Sequence, residues 1–161
     1  MIIFHTTTWE GYIMSSKRVG EVLKLFISKS GVSERIEKKQ ITLDELGVAE
    51  DKFYNKNIQR SVLIASIESY NLIKNYNLEM PFGYLGENIL LDYNPYALEV
   101  GTKLKIGNAV LEITQHCTIC NHLAVIDVKL PTLLKDDRGI FAKVINEGEI
   151  KNGDAVYILG V

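Results

Sequence analysis

Two runs of alternating residues, Thr102 to Ile106 and Ala109 to Thr114, are separated only by Gly107-Asn108. A two-residue connection of that kind closes a tight hairpin, so the pair is committed to neighbouring antiparallel strands. In the second strand Ala109, Leu111 and Ile113 face one way, and Val110, Glu112 and Thr114 the other. Comparable signals recur along the chain. Val19 to Ser28 alternates, with Leu23, Leu25 and Ile27 assigned to one face and Val22, Lys24 and Phe26 to the other. Ser61 to Ala65 is a short apolar run rich in β-formers and predicts a buried strand. Ile140 to Ile145 and Ala155 to Leu159 read likewise, punctuated by Gly148 and Asn152-Gly153-Asp154. Helical spacing follows Ser66, a suitable cap, at Ile67, Tyr70 and Ile73, and stops near Asn75 to Asn77. Many short strands, glycine turns and one or two helices predict a mainly β (α+β) fold, a closed or half-closed β-barrel.

The chain has 161 residues, 47% of them hydrophobic and 24% charged, which suits one domain with a real core. A formal net charge of -2 argues against broad nucleic-acid binding, which needs a basic excess. No long apolar run predicts a transmembrane helix. Met1 to Phe4 is apolar but is interrupted at once by His5 and threonines, so no secretory signal is expected. The two cysteines sit close together and predict no disulfide framework. A soluble cytoplasmic protein is the expectation. Residues 1–18 fit the barrel plan least well and are read as an extension or first strand packed on a domain over 19–161.

The densest chemical signal lies where the hairpin strand ends. His116, Cys117, Cys120 and His122 follow Thr114-Gln115 closely. A thiol at a strand end is rigidly held yet reachable, and it acts as thiolate once cations, hydrogen bonds or a metal lower its pKa. The residues alone leave three readings open. These are a Cys-x-x-Cys redox pair, a zinc site using Cys117, Cys120 and a histidine, and two buried inert cysteines. Pro81 to Ile89 carries Gly83 and Gly86 before Glu87-Asn88, a segment suited to a sharp turn or close approach to a ligand. Lys38, Lys39, Arg60 and Arg138 stand near predicted strand ends, where together they can hold a phosphorylated ligand if the fold gathers them.

The order of these pieces resembles the MOSC domain, the molybdenum-cofactor sulfurase C-terminal type, in its short stand-alone bacterial form. The resemblance runs from about residue 19 to the C-terminus. It rests on Gly47-Val48-Ala49-Glu50-Asp51, Arg60 to Ile64, Gly83 to Ile89 and Val100 to Gly107, then on Leu111 to Gln115 with Cys-x-x-Cys, Arg138 to Val144 and Gly148 to Asp154. It implies a β-barrel with a pocket for the molybdenum cofactor (molybdopterin), and at family level an association with pyridoxal phosphate binding. It implies that Cys120 ligates the metal or carries sulfur as a persulfide, with Cys117 as an extra thiol able to resolve it. Lys39, Arg60, Glu87, Asn88 and Arg138 match positions implied to line the cofactor pocket. The implied activity is reduction of N-hydroxylated or related N-oxygenated compounds, fed by an electron-donor protein. The alternative is a non-enzymatic sulfur or cofactor carrier that hands its cargo to a cofactor-biosynthesis partner. Many relatives carry Gly-Asp where this chain reads Glu50-Asp51, and Arg and Pro where it has Cys117 and Ile119.

Overall fold

The computed structural model of the chain describes residues 3–9, 12–118 and 123–161, so Cys120 and His122 lie outside the described residues. In chain order the strands are β1 (Ile3–Trp9), β2 (Tyr12–Ile27), β3 (Ile36–Lys38), β4 (Gln40–Asp44), β5 (Gly47–Val48) and β6 (Val62–Ser66). They continue with β7 (Ile89–Leu91), β8 (Lys103–Ile106), β9 (Ala109–His116), β10 (Ile140–Asn146), β11 (Gly148–Lys151) and β12 (Ala155–Leu159). The helices are α1 (Ile67–Lys74), α2 (Leu123–Ile126) and α3 (Leu130–Leu133), with a 3-10 turn at Ile58–Arg60.

Strands β2, β12, β8, β9, β10, β6 and β7 hydrogen-bond in that order, and β7 returns to β2, closing the barrel. Every pairing around it is antiparallel except β6 with β7. That exception has a local cause. Ser66 caps α1, its side chain accepting from the Glu68 N–H, and α1 with the loop after it carries the chain back to start β7 parallel to β6. Closure leaves few raw edges, which is how all-β folds of this size avoid edge pairing. The long β2 serves several neighbours. Its first half pairs with β1 and β12, its second with β7 and β3. A small second sheet, β11-β4-β5, completes the described strands.

The hairpin expected at Gly107-Asn108 is present, joining β8 to β9. Gly107 has φ +57, and a Cβ there would lie 2.5 Å from Asp154 Oδ2 and 2.6 Å from Glu149 O. The turn therefore needs glycine both for its φ and for the approach of β11. Val22, Leu25, Ile64, Ile89, Leu104, Leu111, Ile113, Ile140 and Val156 fill the barrel. A second cluster outside it, including Ala65, Tyr70, Ile73, Leu90, Leu130 and Leu134, seats α1 and α3 against β6 and β7. Burial of every residue in β6 follows from these two layers.

One face assignment differs from expectation. The β2–β7 register shifts between Val22 and Lys24. Val22 and Leu25 therefore both enter the barrel, while Leu23 packs with the outer cluster. Simple alternation had grouped Leu23 with Leu25, but one inserted residue inverts the phase of everything beyond it.

Candidate functional site

The outer face of the β6–β10 wall is not fully covered. Leu63 on β6 and Phe141 on β10 form the floor of a cavity of about 740 Å³, walled by Asn88, Cys117, Tyr84 and Leu85. That volume lies in the roughly 300–1,000 Å³ range of small-molecule sites. Cys117 is held there by its own backbone, whose N–H donates to Gly139 O at 2.9 Å. Gly139 has φ +132, and a Cβ on it would lie 2.9 Å from Leu63 Cδ1. Only glycine lets the strand end close down so tightly on the cavity floor.

The 3-10 turn brings in Arg60. Asn57 caps the turn by accepting from the Gln59 N–H at 3.1 Å, and Thr114 Oγ1 donates to Gln59 O at 2.5 Å. So anchored, Arg60 lays its guanidinium over the Phe141 ring, 4.7 Å from the centroid. Its Nε is buried and has no hydrogen-bond partner among the described residues. An unpaired buried donor costs about 1–3 kcal/mol, so such a group in a cavity wall is suited to a ligand acceptor.

Behind the wall lies a polar scaffold centred on Asp51, which is buried. Its Oδ1 accepts from Ser28 N at 2.7 Å, Ser28 Oγ at 3.1 Å and Asn88 Nδ2 at 3.4 Å, and its Oδ2 accepts from Phe53 N at 3.1 Å. Asn88 in turn ties strands together. Its Oδ1 accepts from Leu63 N at 3.0 Å and its Nδ2 donates to Phe26 O at 3.2 Å. Glu87 is fully buried, and its Oε2 accepts from Tyr70 OH at 2.5 Å and from Gly83 N at 3.2 Å. Burial pushes the Glu87 carboxyl above the ordinary range, against the opposing pull of that phenol and of Arg35. Burial likewise raises the Tyr70 phenol.

Arg35 completes the wall. Its Nη1 stands 3.8 Å from Asp51 Oδ1. Gly83 and Gly86, with φ +94 and +90, turn the chain tightly over it, and a Cβ on Gly86 would lie 3.3 Å from Arg35 Nη2. Lys52 and Lys56 also line the cavity, while among the described residues Glu34 is the one carboxylate that does. Cations thus outnumber carboxylates in the cavity lining among the described residues, which favours anionic ligands. The rim carries exposed apolar side chains, Phe53 at 46% and Val125 at 88% exposure among them.

The structure gathers some of the residues singled out in the sequence and separates others. Arg60, Cys117 and Asn88 share the cavity. Glu87 lies behind it, within the Tyr70 scaffold. Arg138 is buried at 2% exposure and does not line the cavity. Lys39 is exposed between β3 and β4, where its carbonyl accepts from Asn152 N. That contact places it beside the turn into β12, away from the cavity. Its neighbour Lys38 pairs with Glu50 at 3.9 Å on a second, smaller hollow. Cys120 falls outside the described residues, and of the described segments on either side of it Cys117 and, on α2, Val125 and Ile126 line the cavity. Among the described residues no group of His, Cys, Asp and Glu gathers to hold a metal ion. No helix among them is long and apolar enough to cross a membrane. Arg35, Lys52 and Lys56 went unsignalled in the sequence, because each is a charged residue in an irregular segment with no period to place it.

A family model described as the MOSC domain matches residues 48–157. The crystal structure of the YuaD protein from Bacillus subtilis superposes with a TM-score of 0.75 at 15% identity, covering 99% of this chain and 100% of that one. YiiM from Geobacillus stearothermophilus gives a TM-score of 0.65 at 14% identity, covering 98% and 72%. YiiM from Escherichia coli gives 0.60 at 16%, covering 88% and 68%. At these identities the structures speak for the fold. A comparison with the curated proteins finds no match.

Proposed function

The chain belongs to the MOSC domain family, and from that premise we propose that it binds the molybdenum cofactor in the cavity beside Cys117 and reduces N-hydroxylated or related N-oxygenated compounds. The carrying observation is the cavity itself: its size suits a phosphorylated pterin, and Arg60, which lines it, has a buried Nε with no acceptor among the described residues. The residues present fit the group. Arg60, Lys52 and Lys56 supply the positive charge a phosphate tail needs, and Phe141, Leu63 and Leu85 supply an apolar wall for a flat ring system. Cys120 is the proposed soft thiolate ligand to molybdenum, a pairing that hard oxygen ligands would not replace.

Bound there, the cofactor supplies a two-electron centre. Balance requires two electrons and two protons to convert an N–OH to N–H and water, and an electron-donor protein is the proposed source. The chain's own part is to neutralise the phosphate, seat the ring against Phe141 and Leu63, and keep bulk water off the wall behind Cys117. Lys39 and Arg138 stand outside the cavity and take no role in this reading.

The test is elemental, pterin and mass analysis of protein purified natively from a cofactor-competent host. Near-stoichiometric molybdenum with pterin, lost in Cys120→Ser, is the expected result. A persulfide on Cys120 without turnover would replace the enzyme by a sulfur carrier. Stoichiometric zinc that resists dialysis would replace it by a zinc module.

A further inference from the structure

Arg35 stands near two carboxyl groups, Asp51 and Glu87, neither of which takes a hydrogen bond from it. Asp51 Oδ1 lies 3.8 Å from Nη1, beyond hydrogen-bonding reach, and that oxygen already accepts from Ser28 N, Ser28 Oγ and Asn88 Nδ2. Glu87 commits Oε2 to Tyr70 and Gly83, while its Oε1 has no partner among the described residues. Nη1 of Arg35 is buried and equally unpartnered. Burial pulls the Arg35 pKa down, and Asp51 and Glu87 pull it back, so the site holds the charge by field rather than by contact.

A guanidinium whose only purpose were structural would pair bidentately with a carboxylate, the geometry its fork matches best. Here the carboxyl groups stand back, the glycine loop at Gly83 and Gly86 makes room, and Arg35 borders the cavity that is also lined by Arg60, whose Nε has no partner among the described residues. We infer that Arg35 is the principal oxyanion anchor of this cavity, binding a phosphate or phosphoryl ester together with Arg60, while Asp51 and Glu87 hold its guanidinium in place without competing for its donors. The inference rests on the cofactor reading for the identity of the whole ligand, though the anion site is testable without it.

The experiment titrates inorganic pyrophosphate into the cofactor-free 161-residue chain, followed by calorimetry and by thermal shift at two salt concentrations. Wild type should bind saturably and gain thermal stability, with affinity falling as salt rises. Arg35→Lys keeps the charge but loses the fork, and should weaken binding at least about 10-fold, the effect of one lost charge-assisted hydrogen bond. Arg35→Gln should abolish it, and Lys39→Gln should leave it unchanged. Should Arg35→Gln fail to fold, Arg35→Lys carries the comparison. Absence of saturable binding to wild type overturns the inference, as does unchanged affinity in a folded Arg35→Lys protein. Arg35-dependent pyrophosphate binding in a protein that carries no molybdenum or pterin when natively purified would uphold the anchor and remove the cofactor reading. Cofactor-loaded protein whose pyrophosphate affinity ignores Arg35 would do the reverse.

Discussion

The phenol of Tyr70 donates to Glu87 Oε2 across 2.5 Å, while its own oxygen accepts the N–H groups of Gly83 at 3.0 Å and Leu85 at 3.4 Å. One side chain on α1 therefore pins both the buried carboxylate and the glycine loop that roofs Arg35. Tyr70→Phe removes a donor and an acceptor at once, leaving Glu87 and two loop amides underpaired. A loss of about 1–3 kcal/mol in unfolding free energy is expected from urea denaturation, with thermal-shift response to pyrophosphate reduced. Wild-type stability in Tyr70→Phe would remove this pin.

Glu87 makes the stability depend on pH in a stated direction. Its carboxyl pKa is raised above the ordinary 4.5 by burial, so the folded state holds the proton more tightly than the unfolded chain. The resulting stabilisation is complete below the unfolded value and declines as pH rises toward the folded one. Glu87→Gln keeps an oxygen for Tyr70 and Gly83 but cannot ionise. Its stability relative to wild type should grow with pH above that window's lower edge, by at most about 1.4 kcal/mol per unit. Parallel stability curves for the two proteins from about pH 4 to 8 would contradict the assignment.

Asn88 is expected to act through the fold rather than through direct ligand contact. Its amide serves Leu63 N, Phe26 O and Asp51 Oδ1. Asn88→Asp replaces two donors by an acceptor facing Phe26 O and Asp51, and should destabilise by more than the approximately 1–3 kcal/mol expected for Asn88→Ala. Chemical denaturation of the two variants checks the order.

Gly86→Ala tests the roof. At φ +90 a Cβ costs about 1–2 kcal/mol, and here it also meets Arg35 Nη2 at 3.3 Å. Lower stability together with weaker pyrophosphate affinity is expected. A variant that loses stability but binds as wild type would show that the roof does not position Arg35.

Arg60→Met separates binding from folding. It removes a buried N–H that has no partner among the described residues and forfeits a contact with Phe141 of about 0.5–1 kcal/mol. Stability should hold or rise, because relief of the unpaired donor, about 1–3 kcal/mol, outweighs the lost ring contact, while molybdenum and pterin content per chain falls in natively purified protein. Unchanged content would take Arg60 out of the proposed site.

Legibility in the sequence tracked how local the determinant was. The β8–β9 hairpin, the buried β6 and the Ser66 cap each depend on residues a few positions apart, and each stands where the pattern put it. The phase of β2 did not, because its bulge between Val22 and Lys24 is set by the register against β7, nearly seventy residues away. Among the cations, position before a strand was a weak guide. Arg60 reaches the cavity because Asn57 and Thr114 hold its turn, whereas Lys39 sits between β3 and β4, where its carbonyl accepts from Asn152 N.

Period and turn chemistry therefore determined a mainly β barrel, and the order of motifs carried the resemblance to the MOSC domain, since side-chain alternation and glycine turns act over one or two residues and survive any tertiary arrangement. Which charges face one another was decided only on closure. Barrel closure brought Arg35, Asp51 and Glu87 from three separate segments under one loop, and the field at such a site is a sum over distances that no linear spacing contains.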